Sequence, residues 1–109
     1  MKQQAIRIHD RYDELNRRER GRVRTRTEFV LGFMGDVGGL ATLVIAEEGA
    51  REHPGGRPAL EHELADCLWS VLIPTHRYNV DLERVFHRTM TELDKRIDTR
   101  LSQGDTPGT

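Results

Sequence analysis

Cysteine is nearly absent: the single thiol, Cys67, excludes an internal disulfide framework and fits a reducing, cytoplasmic setting. Net charge is nearly absent as well. Seventeen basic and 18 acidic side chains leave a formal charge of −1, so the whole-molecule field points to neither a nucleic-acid nor a membrane partner. Aromatic residues are 6% and apolar residues 36% of the 109-residue chain. A chain this short buries only a thin core as a monomer, which makes self-association an expectation. There is no internal repeat and no low-complexity segment. The opening Met1-Lys2-Gln3-Gln4 lacks the basic-then-apolar pattern of a signal peptide. One apolar run, Phe29 to Ala46, is long enough to question as a membrane span. Asp36 at its centre and four glycines count against that, and the reading is of a soluble protein.

What is present is helical patterning. From Gln3 to Arg20, Ala5, Ile6, Ile8, Tyr12 and Leu15 recur at the spacing of a narrow apolar stripe on a charged helix. Gly21 breaks it. Thr25 or Thr27 caps a second helix, with Glu28 in the first turn where the macrodipole favours an acid. Val30, Phe33, Met34, Val37, Leu40, Ala41, Val44 and Ile45 form its expected core stripe. Gly32, Gly35 and Gly39 line a strip where another helix or a ligand can approach the backbone closely. A strand over Ala41 to Ala46 is the local competitor. Glu48 to Arg57, with Gly49, Pro54, Gly55 and Gly56, reads as a loop. Pro58 opens a third helix running to about Tyr78, with Leu60, Leu64, Cys67 or Leu68, Val71 and Leu72 inward; Pro74 kinks or frays its end. Asn79 or Asp81 caps a fourth, with Leu82, Val85, Phe86, Met90, Leu93, Ile97 and Leu101 on one face. The expected architecture is an all-α four-helix bundle, one domain over residues 1–101, followed by a disordered polar tail over 102–109.

The residues of chemical interest are acids placed inside apolar runs. Glu63 and Asp66 lie three apart and share a helical face beside the core stripe; Asp36 lies near the apolar side of the preceding helix. Buried carboxylates need partners. Oxygen ligands of this kind suit Mg²⁺ or Mn²⁺, which can clamp a polyphosphate and orient a water for attack on phosphorus. The competing reading is that all three pair with arginines or face solvent.

Gly-Asp-Val-Gly-Gly-Leu-Ala at 35 to 41, Glu63-Leu64-Ala65-Asp66-Cys67-Leu68-Trp69, and Val80-Asp81-Leu82-Glu83 together give a pattern that resembles the MazG-like, all-α nucleotide pyrophosphohydrolases, over roughly residues 28 to 97. The resemblance implies an α-helical dimer or tetramer. It also implies Mg²⁺ held by a Glu-x-x-Glu and then a Glu-x-x-Asp motif, and hydrolysis of a nucleoside triphosphate to monophosphate and pyrophosphate. Asp36 matches the first acid of the first motif, and Glu63 and Asp66 match the second motif intact. The second acid of the first motif falls on Gly39, and a glutamate that often precedes the first acid falls on Gly35. A lysine and an asparagine of the last helix fall on Thr89 and Leu93. The metal site is depleted relative to that pattern, with Glu28 the nearby acid that could substitute.

Between Arg17 and Arg26 stand six arginines against the one acid Glu19. Arg22, Arg24 and Arg26 are candidates for bidentate phosphate contacts; the alternatives are a solvated face or a nucleic-acid arm, and the segment lacks interleaved aromatics to stack bases. Trp69 is a candidate base-stacking residue or a core or interface residue. Cys67 reads as a small buried residue. His53, His62, His76 and His87 lack ligand spacing, so zinc is not expected; His62 is expected on a different face from Glu63. The expected function is Mg²⁺-dependent (or Mn²⁺-dependent) nucleoside triphosphate pyrophosphohydrolysis by a cytoplasmic homo-oligomer, with Glu63 and Asp66 catalytic. The alternative is a catalytically impaired relative that serves as a nucleotide-binding or assembly module.

Overall fold

A computed structural model describes residues 1–49 and 55–104. Every regular element in them is an α-helix: α1 (Lys2–Arg20), α2 (Arg26–Glu48), α3 (Gly56–Arg77) and α4 (Leu82–Gly104), with no strand among the described residues. The protein is all-α, and Ala41 to Ala46 is helical. Half of the expected loop, residues 50–54, and the end of the expected tail, 105–109, lie outside the described residues. The chain divides into two compact units, Met1–Arg77 and Tyr78–Thr109.

The helix boundaries follow from local chemistry. Gly21 closes α1 in the left-handed region (φ 74°), a conformation that costs glycine nothing, and its N–H returns to the Arg17 carbonyl. Thr25 caps α2 in a complete capping box. Its hydroxyl accepts from the Glu28 N–H at 3.1 Å while its own N–H donates to Glu28 Oε1 at 3.0 Å. Pro58 stands in the first turn of α3. Pro74 is absorbed within α3, which continues to Arg77; the missing N–H deprives one carbonyl a turn back of its helical bond.

In the first unit, α1 and α2 both pack on α3. Ala5, Phe29 and Ile73 form the buried cluster, with Trp69 and Leu72 packed against it. Ile73 is only 3% exposed. The face that turns inward differs from the expected stripe. On α2 the more enclosed positions are Phe29, Gly32, Phe33, Asp36, Leu40 and Leu43, whereas Val30, Met34, Val37, Ala41, Val44 and Ile45 are exposed. On α3, Leu60, Ser70 and Ile73 are buried and Glu63, Asp66 and Cys67 half-buried, while Leu64, Leu68 and Val71 lie outward. On α1, Ala5 is buried, but Ile8, Tyr12 and Leu15 are exposed and the half-enclosed His9, Asp13 and Asn16 take their place. The physical reason is that α2 is apolar nearly all the way round. Its period therefore marks a helix without marking a side. By length and composition alone α2 could cross a membrane: the mean hydropathy of its most apolar stretch is 1.9, with 6% of it buried.

Among its described residues the second unit is built on one long amphipathic helix, α4. Asp81 caps α4, its Oδ1 accepting from the Arg84 N–H at 3.2 Å and its carbonyl from the Val85 N–H at 3.0 Å. Asn79 before it takes a positive φ of 52°, which asparagine tolerates better than most residues. Phe86, Met90, Leu93, Ile97 and Leu101 recur at helical spacing and are exposed.

The α2 cap sets an acid limit. The Arg22 guanidinium grips Glu28 with both terminal nitrogens, at 2.7 and 3.2 Å, and together with the Thr25 N–H it holds the Glu28 carboxyl down at about 2, from an ordinary 4.5. A depressed carboxylate contributes stability above its unfolded value and loses it as pH falls through the folded one. The melting-temperature difference between wild type and Glu28→Gln should therefore be full above pH 4.5 and shrink on the way to pH 2. A difference unchanged across that range would contradict this account.

Candidate metal centre and its cleft

Asp36 projects from the inward face of α2, and Glu63 and Asp66 project one turn apart from the facing side of α3. One carboxylate oxygen of each lies within 4.8 Å of the others, and all three side chains are half-buried. The expected trio does meet. Among the described residues no arginine or lysine is paired with any of them. Asp66 is approached instead by His62, whose Nε2 lies 3.2 Å from Oδ2. His62 therefore sits on the acidic side, contrary to the expectation from its position beside Glu63; a residue four before Asp66 on a helix is its neighbour.

Like charges held this close resist joint ionisation. Partial burial pushes the Glu63 carboxyl up, and the Asp36 and Asp66 charges and a hydrogen bond to Asp36 push it further, against a smaller opposing effect of His62. The Cys67 thiol is raised by burial and then by the same three acids, which favours its neutral form. The donor set fits a hard cation. Oxygens sharing one Mg²⁺ at about 2.0–2.1 Å lie roughly 3–4 Å apart, within a small rotamer adjustment of the separation found. Asp36, Glu63 and Asp66 are the residues that would hold such an ion. Gly39 lies against this cluster: a Cβ there would stand 3.7 Å from Glu63 Cδ and 3.8 Å from Oε1, an ordinary contact distance.

Beside the acids opens a cleft of about 480 Å³, which Asp36, His62 and Asp66 border on one side. Its aromatic wall comes from three helices. Trp69 is the hub, with ring centroids 5.5 Å from Phe29, 5.9 Å from Tyr12 and 6.4 Å from His9. The indole Nε1 donates to the Ala5 carbonyl at 3.0 Å, which fixes the ring. Trp69 thus packs on the core with one part and lines the cleft with another. His9, Asp13 and Asn16 of α1 join the lining, as do Ile8, Ala65 and Arg77; the three polar α1 residues are hidden in the sequence because polar residues at i, i+4 and i+7 resemble a solvated face. His9 Nδ1 lies 3.6 Å from Asp13 Oδ2.

The three arginine candidates separate. Arg22 is engaged with Glu28, and this grip together with the capping box commits Glu28 away from the acidic cluster. Arg26 is exposed in the first turn of α2. Arg24 alone of the three borders the cleft. Comparison with protein-family models, with curated proteins and with solved structures finds no match to this chain.

Removing Asp36 removes one of the charges that raise Glu63. An Asp36→Asn variant should lower the Glu63 pKa toward the ordinary carboxylate range, as followed by side-chain carboxyl chemical shifts in metal-free protein. A raised acid carries its stability below its unfolded pKa and loses it as pH rises through the folded value. The variant should therefore show a shallower loss on that limb, and an unmoved Glu63 titration would refute the coupling.

Proposed function

We propose that the protein is a divalent-metal-dependent nucleoside triphosphate pyrophosphohydrolase of the MazG-like type, converting an NTP or dNTP to its monophosphate and pyrophosphate. The observation that carries this reading is the meeting of Asp36, Glu63 and Asp66, unpaired with arginine or lysine among the described residues, at the edge of a cleft with an aromatic wall. The resemblance in motif supplies the reaction class. A bound Mg²⁺ or Mn²⁺ would neutralise the acids, polarise phosphate oxygens and acidify a water. The chain's own residues divide the remaining work. The aromatic wall around Trp69 offers a stacking surface for a base, and the low polarity there excludes water from one side of the substrate. Water adds to the α phosphorus and the bond to the bridging oxygen of the β phosphate breaks, releasing pyrophosphate. An oxygen of Glu63 or Asp66 not otherwise engaged accepts the proton of that water. A cluster of carboxylates at the middle of α2 and α3 also favours an aqueous setting over a bilayer, in keeping with a cytoplasmic protein.

The second reading, a nucleotide-binding or assembly module without catalysis, is favoured by Gly39, which faces Glu63 and contributes no ligand. The two readings separate in one assay, in which purified protein is incubated with a panel of NTPs and dNTPs and Mg²⁺ or Mn²⁺ while pyrophosphate is measured. Hydrolysis is expected for wild type and lost in Asp66→Ala. A Cβ at position 39 meets Glu63 only at ordinary contact distance, and Gly39→Asp should raise metal affinity by calorimetry. No pyrophosphate above the Asp66→Ala background leaves only the second reading.

Self-association belongs to the same proposal. Val30, Met34, Val37, Ala41 and Val44 follow one another at four, three, four and three residues on the outward side of α2, the spacing of a helix-packing seam, and Met34 is 64% exposed. Sedimentation should find wild type as a dimer or tetramer and Met34→Glu as a monomer. A monomeric wild type at tens of micromolar (roughly the range in which an interface of standard size is occupied) would remove this part.

A further inference from the structure

We infer that Gly32 is the seat of Arg24, and that the seated guanidinium is the arm that grips the phosphate chain of the ligand in the cleft. The inference rests on the reading of that cleft as a nucleotide site. Arg24 precedes α2, and its side chain folds back across the first turns of the helix. Nη2 donates to the Glu28 carbonyl at 2.9 Å, and the guanidinium carbon lies 5.9 Å from the centre of the Phe29 ring. That path crosses position 32. A Cβ there would collide with Nη2 and stand 3.4 Å from Cζ, so only glycine leaves the route open.

The placement has a chemical meaning. Arg22 spends its fork on Glu28, whereas Arg24 is held by a carbonyl and a ring face, neither of which neutralises it. Among the described residues no carboxylate is bonded to it. An arginine fixed in place with most of its donors unspent loses little rotamer freedom on gripping an anion, and its planar fork matches two oxygens of a phosphate group. Its charge stands on the same cleft as Asp36 and Asp66. A polyphosphate that shared a cation with the acids would therefore find a fixed cation of the protein within the same cavity. Gly32 is a positioning residue and Arg24 a binding one.

The experiment titrates inorganic tripolyphosphate into the full chain by calorimetry, in Mg²⁺-containing buffer of low ionic strength, and records the melting temperature of each variant. Gly38→Ala is the control, because a Cβ at position 38 meets nothing within 4 Å in the same helix. Arg24→Ala and Gly32→Ala should each weaken binding about tenfold or more, the size expected for losing a charge-assisted hydrogen bond. The double variant should be no weaker than Arg24→Ala alone. Gly38→Ala should bind as wild type does. Gly32→Ala should melt no lower than wild type, since the clash is with the flexible end of a side chain and alanine suits a helix better, which separates lost positioning from lost folding. Wild-type affinity in Gly32→Ala, additive losses in the double variant, or no tripolyphosphate binding by wild type would each overturn the inference. Wild type that binds tripolyphosphate through Arg24 yet releases no pyrophosphate from any nucleoside triphosphate would support the inference and end the hydrolase reading.

Discussion

The first unit depends on an unfavourable interaction. Packing α2 against α3 brings Asp36 toward Glu63 and Asp66, three negative groups that repel and are partly withdrawn from water. Apolar burial around Ala5, Phe29 and Ile73 must offset that repulsion, and this core is small. A cation would turn the same three groups from a burden into a clasp. The packing of the two helices and the chemistry proposed for them are thus one problem seen from two sides.

The polar groups at the start of α2 and around the cleft are arranged by commitment as much as by proximity. Arg22, Glu28 and Thr25 are closed on one another and cap a helix. Arg24 is fixed but unspent, Trp69 is tied to the Ala5 carbonyl, and His62 touches Asp66. Three arginines that look alike in composition thereby acquire three different environments. The distinction comes from what each can reach within eight residues, and none of it from net charge.

Much of this was legible in the amino-acid order. Gly21, the Thr25–Glu28 box and Asp81 mark helix ends by local hydrogen bonding, and local chemistry needs no tertiary knowledge. The meeting of Asp36 with Glu63 and Asp66 was also legible, because acids inside apolar runs have few places to go. The inward side of α2 was not. With Val30, Met34 and Val37 as apolar as Phe29 and Phe33, periodicity alone could not choose between opposite faces. His9, Asp13 and Asn16 were hidden for the converse reason: a polar stripe that lines a cavity has the same spacing as one that faces water. The partnership of Arg22 with Glu28 spans a turn whose path no propensity specifies.

Trp69 is the only tryptophan in the chain, and it stands where the aromatic wall, the α1 backbone and the cleft meet. The indole is therefore a built-in optical reporter. Its emission arises from one environment only, so a change in colour or quenching on adding a solute reads the cleft directly, without a label. Separation of α1 from α3 would break the bond to Ala5 and expose the same ring, giving a second and distinguishable signal from the same chromophore.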